Sequence, residues 1–312
     1  MWANSSKLGL KNMRILITGK DGQVGREFLR LYRQQREVVF VGRDECDLSS
    51  ESAIRELIGR IRPAVIINTA AYTAVDLAEK ERDLCFAINA GAPRVLAQEA
   101  SRLDALLIHY STDYVFNGAK PEPYVETDAI GPLGVYGESK QAGEAAIEEN
   151  ASRYLVLRTS WVYSAQGKNF LRTMLRLGAE RPLLRVVDDQ VGAPTSAAAI
   201  AAATVRLLQP DEQASGAPSG IYHMTAGGST SWYGFAGAIF ASGVLPSAPR
   251  VEAIASSEYP TPARRPANSI LSNDKFAHTF GFRLAPWQQQ LQAVIAGMTE
   301  MTGMTEMNGA IR

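Results

Sequence analysis

Arg14-Ile15-Leu16-Ile17-Thr18-Gly19-Lys20-Asp21-Gly22-Gln23-Val24-Gly25 is the stretch that decides the fold of this 312-residue chain. Its apolar and β-branched run reads as a short buried strand closed by Gly19. From Gln23 to Gln34, Val24, Phe28 and Leu31 recur at helical spacing. Strand, glycine loop and helix together open a βαβ unit. In such a unit a GxxGxxG turn lets the backbone approach a pyrophosphate at the positive end of the helix. Gly19, Gly22, Gln23, Val24 and Gly25 are therefore candidate dinucleotide-binding residues.

The alternation continues outward. Val38–Val41, Ala64–Asn68, Ala105–His109 and Tyr154–Arg158 read as strands, and Ser50–Ile61, Leu84–Leu103 and a stretch from near Gly137 to Glu149 read as helices. Apolar strands separated by helices imply a parallel sheet covered on both faces. The expected class is α/β, a Rossmann-type doubly wound parallel sheet with a smaller C-terminal substrate-binding lobe.

After Trp161 the character changes. Helices are expected at Asn169–Leu177, Ala197–Leu208 and Ser231–Ser242, and strands at Leu184–Val187 and Ile221–Met224. Gln209–Gly220 reads as a surface loop, Pro246–Pro266 as irregular, and Met298–Arg312 as a frayed tail. The expected division is a leader over 1–12, a dinucleotide-binding domain over 13–165 with segments returning from the second half, a sugar-nucleotide lobe mainly over 166–300, and a tail over 301–312.

Lys plus Arg and Asp plus Glu both number 32, so no global field favours a nucleic acid polymer or an anionic membrane. Any anionic ligand must be held locally. The apolar runs are too short for a bilayer span, and the polar first dozen residues lack a signal peptide's core, which favours the cytoplasm. Two isolated cysteines, Cys46 and Cys85, and three histidines, His109, His223 and His278, argue against structural zinc or a disulfide framework. No metal ligand set is assigned.

The second strand ends at Val41-Gly42-Arg43. Arg43 can clamp a 2′-phosphate bidentately, so NADPH is favoured over NADH, with Lys20 as a second cation. Asp47 and Leu48 then fall where an adenine could be met. Tyr136 and Lys140, in Tyr-Gly-Glu-Ser-Lys, are one helical turn apart and face one side. A phenol becomes a usable proton donor near neutrality when a cation favours its phenolate. Ser111-Thr112-Asp113, just past the preceding strand, brings a hydroxyl to the same place.

Several strings now add up to a resemblance: Gly-Lys-Asp-Gly-Gln-Val-Gly, Asn68–Asp76, Tyr110–Phe116, Val135–Lys140, Arg158–Tyr163, Asp189–Thr195 and Arg265–Ser269. The chain resembles the extended short-chain dehydrogenase/reductases over nearly all of Met13 to Glu300, and within them the dTDP-4-dehydrorhamnose reductase family. The resemblance implies NADPH-dependent reduction of the C4 ketone of dTDP-4-dehydro-L-rhamnose, with Tyr136 as proton donor. It implies that Lys140 holds Tyr136 and the nicotinamide ribose, that Thr112 tunes the substrate hydrogen bond, and that Asp113 and Trp161 bind the deoxysugar. Ala70, Ala71, Tyr72, Thr73 and Tyr110 would join Gly22, Gln23, Val24, Asp47 and Leu48 around the cofactor. Arg264 and Arg265 are the candidate cations for the substrate diphosphate.

A homodimer is implied by the family alone, as is Mg²⁺ in some members. Ala197-Ala198-Ala199 stands where a metal-binding glutamate would fall, which argues against the metal here. The rival readings are another sugar-nucleotide reductase or epimerase, a dehydratase, and a non-catalytic subunit on the same scaffold. Tyr114 occupies the place of a dehydratase's acid, and a non-catalytic subunit has no need of Thr112, Tyr136 and Lys140 together.

Overall fold

The computed structural model describes residues 14–209 and 218–309, with side chains to 299. The expected leader and most of the loop expected at Gln209–Gly220 lie outside the described residues. The first half runs β1 (Ile15–Thr18), α1 (Gln23–Leu31), β2 (Val38–Val41), α2 (Glu51–Ile61), β3 (Val65–Asn68), α3 (Val75–Ala78), α4 (Arg82–Phe86), α5 (Ala92–Leu103), β4 (Leu106–Thr112), α6 (Val135–Asn150) and β5 (Tyr154–Thr159). The second half runs β6 (Val162–Tyr163), α7 (Phe170–Glu180), β7 (Leu183–Val187), β8 (Val191–Gly192), β9 (Thr195–Ser196), α8 (Ala197–Leu207), β10 (Gly220–His223), β11 (Thr230–Ser231), α9 (Trp232–Ala241), β12 (Arg250–Ile254), α10 (Asp274–Phe280) and α11 (Trp287–Gly309).

Six parallel strands form the central sheet in the order β2-β1-β3-β4-β5-β10. The chain leaves β1 toward β2 and returns to β3 on β1's other side. The strand order therefore reverses between β1 and β3, and ligands of such sheets bind in the crevice beyond the carboxyl ends at this switch. The strands are apolar throughout because both faces are covered. Ile15, Ile17, Ile67 and Leu157 pack with Phe28 of α1, Ile200 of α8 and Phe276 of α10. Leu16, Ile66, Leu107 and Val156 pack on the other face with Ile54 of α2, Val95 of α5 and Ile147 of α6. Thus β10, α8 and α10 return from the second half to complete the first layer.

A separate apolar cluster joins Leu171 and Leu175 of α7, Leu184 of β7, Phe235 and Ile239 of α9, and Leu291 of α11. Its members all follow Trp161 in the chain.

Several expectations are corrected. Leu84–Leu103 is not one regular helix: a π turn at Ala87–Gly91 separates α4 from α5, where Asn89 spends its amide on other partners. The fourth strand continues past His109 to Thr112, because β5 pairs with it over the whole extension. The helix carrying Tyr136 begins at Val135, so Tyr136 lies inside its first turn. Pro246–Pro266 is not wholly irregular: Arg250–Ile254 pairs in parallel with β7, and a partner strand outweighs the nearby prolines. The expected frayed tail is helical to Gly309, since Met298 still packs beside the second-half apolar cluster and the Met and Glu residues that follow are good helix formers. Residues 310–312 lie outside the described residues.

Candidate active site

At the carboxyl ends of the sheet lies a cleft of about 710 Å³. Its floor is the glycine loop. Gly19 has φ +75°, and a Cβ there would meet Ala70 N at 2.7 Å, so only glycine lets the loops after β1 and β3 approach this closely. Gly22 caps α1 without a side-chain hydrogen bond, and the helix has no acidic residue in its first turn. Its amino end is thus open to an anion. Gly25 does not line the cleft. It lies against the back of the loop, where a Cβ would fall 2.1 Å from the Gly19 carbonyl oxygen.

Gln23 and Val24 face the cleft from α1, and Arg43, Asp47 and Leu48 line it beyond β2. Lys20 also lies at this edge but is ion-paired with Glu45, which in turn accepts from Gly42 N, so Arg43 is the better-placed cation. From the next loop Ala70, Ala71, Tyr72 and Thr73 complete one wall. Asn89 of the π turn braces that wall, accepting from Tyr72 N at 2.8 Å and donating to Tyr72 O at 3.0 Å. Tyr110, Ser111, Tyr136 and Lys140 also line the cleft.

Burial pushes the Tyr136 phenol above its ordinary value, against the opposing pull of the Thr112 hydroxyl. A phenol so placed stays protonated and available as an acid. Burial pushes Lys140 down to about 8, while Glu144 and Cys85 pull it back up. Its Nζ lies 2.6 Å from the Tyr110 carbonyl oxygen and 3.1 Å from His109 Nε2. The Lys140 nitrogen is therefore engaged with β4.

Thr112 and Asp113 sit at the end of β4, both buried. Thr112 Oγ1 donates to Asp113 Oδ1 at 3.0 Å and accepts from Tyr114 N at 3.2 Å. Asp113 Oδ2 and Ser111 Oγ are buried with no hydrogen-bond partner among the described residues. Burial pushes Asp113 up to about 6, opposed by hydrogen bonds from Ser269 and Thr112. Ser269 of the Arg265–Ser269 string thus lies near the acid. Tyr114 lies edge-on to Tyr136, their ring centroids 5.5 Å apart.

Trp161 has φ +47°, a strained conformation for an aromatic residue. Its ring stacks on Trp232, with centroids 3.5 Å apart and planes within 4°. Gly192 makes room for it, since a Cβ there would lie 2.5 Å from the Trp161 ring. Gln190 accepts from Trp232 Nε1 at 3.2 Å. Two motifs distant in sequence, around Trp161 and Gln190, therefore meet. Arg265 makes a 2.9 Å ion pair with Asp76, and Arg264 is exposed.

The sequence reading missed Asn68, His109, Asn89 and Trp232. Thr18, Asn68 and His109 stand side by side in register across β1, β3 and β4. The signal for His109 was its place directly before Tyr110-Ser-Thr-Asp; Trp232 had none, because only folding brings it to Trp161. Among the described residues no three His, Cys, Asp or Glu side chains converge as a metal site. None of the described helices is long and apolar enough to cross a membrane.

The family model described as RmlD substrate binding domain matches residues 13–300. The dTDP-4-dehydrorhamnose reductase of Burkholderia thailandensis is 48% identical over 285 residues, covering 88% of this chain and 96% of that one. The enzyme of the same name from Escherichia coli K12 is 43% identical over 289 residues, covering 88% and 95%. The crystal structure of the Bacillus anthracis dTDP-4-dehydrorhamnose reductase in complex with NADP superposes with a TM-score of 0.85 at 35% identity, covering 91% of this chain and 99% of that one.

Proposed function

The chain belongs to the RmlD family of dTDP-4-dehydrorhamnose reductases, and from that membership we propose which of its side chains carry the reaction. It is an NADPH-dependent oxidoreductase that reduces the C4 ketone of dTDP-4-dehydro-L-rhamnose to the alcohol of dTDP-L-rhamnose, the last step in making that sugar nucleotide. NADPH, when bound, supplies the hydride. The glycine loop and the open end of α1 receive its pyrophosphate, Arg43 its 2′-phosphate, and Asp47 and Leu48 its adenine. NADH fits the same cleft without using Arg43.

Tyr136 donates the phenolic proton to the oxygen on C4 as negative charge develops there, and Thr112 steadies the same oxygen. Lys140 holds the nicotinamide ribose and offsets charge on the Tyr136 phenolate. Asp113 and Trp161 hold the deoxysugar, and Arg265, already braced by Asp76, meets the diphosphate. The cluster of Leu171, Phe235 and Leu291 is the core of the sugar-nucleotide lobe on this reading. No step calls on Mg²⁺.

One observation carries the assignment: Tyr136 and Lys140 line the same cleft as the glycine loop, with Thr112 at the end of the adjoining strand. Tyr114 lies against Tyr136 where elimination would need an acid, which disfavours a dehydratase. Loss of reduced-cofactor absorbance on mixing the protein with NADPH and the 4-keto sugar nucleotide is the test, and no oxidation would sink the reading. Tyr136→Phe is expected to lower turnover by about 10²–10⁴-fold with cofactor affinity retained. Turnover within a few-fold of wild type would remove Tyr136 as the donor.

The same reading places the enzyme in the cytoplasm, in keeping with two free, buried cysteines. It also makes the enzyme a homodimer, checked by light scattering against the 33.8 kDa chain mass.

A further inference from the structure

Lys140 is held by a row of buried polar groups that the reductase chemistry does not itself require. Asn68 Oδ1 faces two donors, the Thr18 hydroxyl at 2.6 Å and the Ala70 backbone N–H at 3.2 Å. A backbone N–H can only donate, so this side of the Asn68 amide is the oxygen. Its NH₂ is thereby turned to His109 Nδ1, 2.9 Å away. An amide nitrogen can only donate there, so His109 Nδ1 must accept. In a neutral imidazole the ring proton then sits on Nε2. His109 is wholly buried, and burial above all holds it well below its ordinary value, so the ring is neutral.

The Nε2–H points at Lys140 Nζ, 3.1 Å away. An ammonium has three donors and no lone pair, and would meet this N–H donor against donor. A neutral amine has the lone pair to accept it. It keeps one N–H for the Tyr110 carbonyl oxygen, at 2.6 Å, and one for the cleft.

We propose that His109 is a positioning residue for the catalytic lysine: locked by Asn68 as its Nε2–H tautomer, it turns a donor toward Lys140 and lowers that residue's hold on a proton. This rests on Lys140 being the lysine of the reductase reading. The other groups around Lys140 leave room for such control. Glu144 on α6 favours the ammonium but is tied to Arg158 of β5 by hydrogen bonds of 2.6 and 2.9 Å. Cys85 of α4 pulls the same way, and its thiol is itself pushed up by burial. Tyr136, on the same helix, is held in its neutral form.

The consequence is a sign for the pH profile. Below its pKa of about 8, Lys140 is an ammonium that can offset the Tyr136 phenolate; above it only an amine remains. Reductase activity should therefore fall as pH rises through about 8. His109→Gln turns an amide oxygen to Lys140, favours the ammonium, and should move the alkaline limb of kcat/KM upward by about one pH unit. Asn68→Asp puts an acceptor opposite Nδ1, reverses the tautomer, and should move the limb the same way.

The independent readout is nitrogen NMR of the full chain labelled with ¹⁵N-histidine, its His109 signal assigned by loss in the Gln variant. The expected form is Nε2–H in wild type. An Nδ1–H tautomer in wild type, or active variants whose limb stays in place, would overturn the proposal. A wild-type protein that oxidises no NADPH would instead overturn the reductase reading and leave the tautomer result standing.

Discussion

The floor of the cleft and the stacked rings of Trp161 and Trp232, proposed above as the far wall of the sugar site, are built by opposite means. On the floor the backbone does the holding: Gly19 and Gly25 remove atoms so that the loops after β1 and β3 and the first turn of α1 can close on one another. At the far wall side chains do the holding: Trp161 is kept in a left-handed conformation by its stack on Trp232 and by the space over Gly192. A floor built from missing atoms tolerates no added atom, whereas a wall built from stacked rings can lose one and relax. The two regions should therefore fail differently, one abruptly and the other by degrees.

The sharpest way to break this contrast is Gly25→Ala. The added methyl would lie 2.1 Å from the Gly19 carbonyl oxygen, a backbone atom that cannot swing aside. Forced overpacking of this kind costs about 1–3 kcal/mol, and the shift falls on the loop proposed to receive the pyrophosphate. NADPH affinity, measured by calorimetry, is expected to fall by about ten- to hundredfold, with a lower melting temperature. Near-wild-type affinity would mean that the loop is softer than its geometry implies.

The same contrast governs how much could be read from the sequence. The floor was legible because strand, glycine loop and helix are contiguous, and each glycine has a local backbone reason to be there. Tyr136 and Lys140 were legible for a similar reason, lying four residues apart on one helix. The far wall could be read only as strings that resembled a family. Trp161, Gln190, Gly192 and Trp232 have no shared periodicity, and the contact that explains them is made by the folded chain alone. His109 is intermediate: it is next to a recognised motif, but its partner Asn68 comes from another strand, through a register set by the whole sheet. The π turn at Ala87–Gly91 was invisible because Asn89, whose amide sets it, answers to the backbone of Tyr72 in a separate loop.

At the edge of the floor, Arg43 tests whether charge adds to what the glycines provide. It lines the cleft beside Gly42, while Lys20 is held by Glu45. A charge-assisted hydrogen bond to an ionised group contributes about 1.5–3 kcal/mol, so Arg43→Ala should lower the preference for NADPH over NADH by about tenfold or more. Affinity for NADH itself should hardly change if, as proposed, the pyrophosphate rests on the glycine loop. Equal weakening of both cofactors would show that Arg43 shapes the floor rather than reading the 2′-phosphate.

The smallest effect belongs to the far wall, and its kind matters more than its size. Trp232→Ala removes the ring beneath Trp161 and the Nε1–H that reaches Gln190. Aromatic stacking contributes about 0.5–1.5 kcal/mol beyond buried area, which corresponds to a roughly two- to tenfold change in binding. Because Trp161 is proposed to hold the deoxysugar and not to transfer a proton, the loss should appear mainly as a higher KM for the sugar nucleotide. Turnover at saturation and NADPH affinity should stay close to wild type, and Trp232→Phe should restore part of the loss by replacing the stacking surface. A fall in turnover as steep as that of Tyr136→Phe would mean that the stack orients the reacting carbon itself. The wall would then be as exacting as the floor.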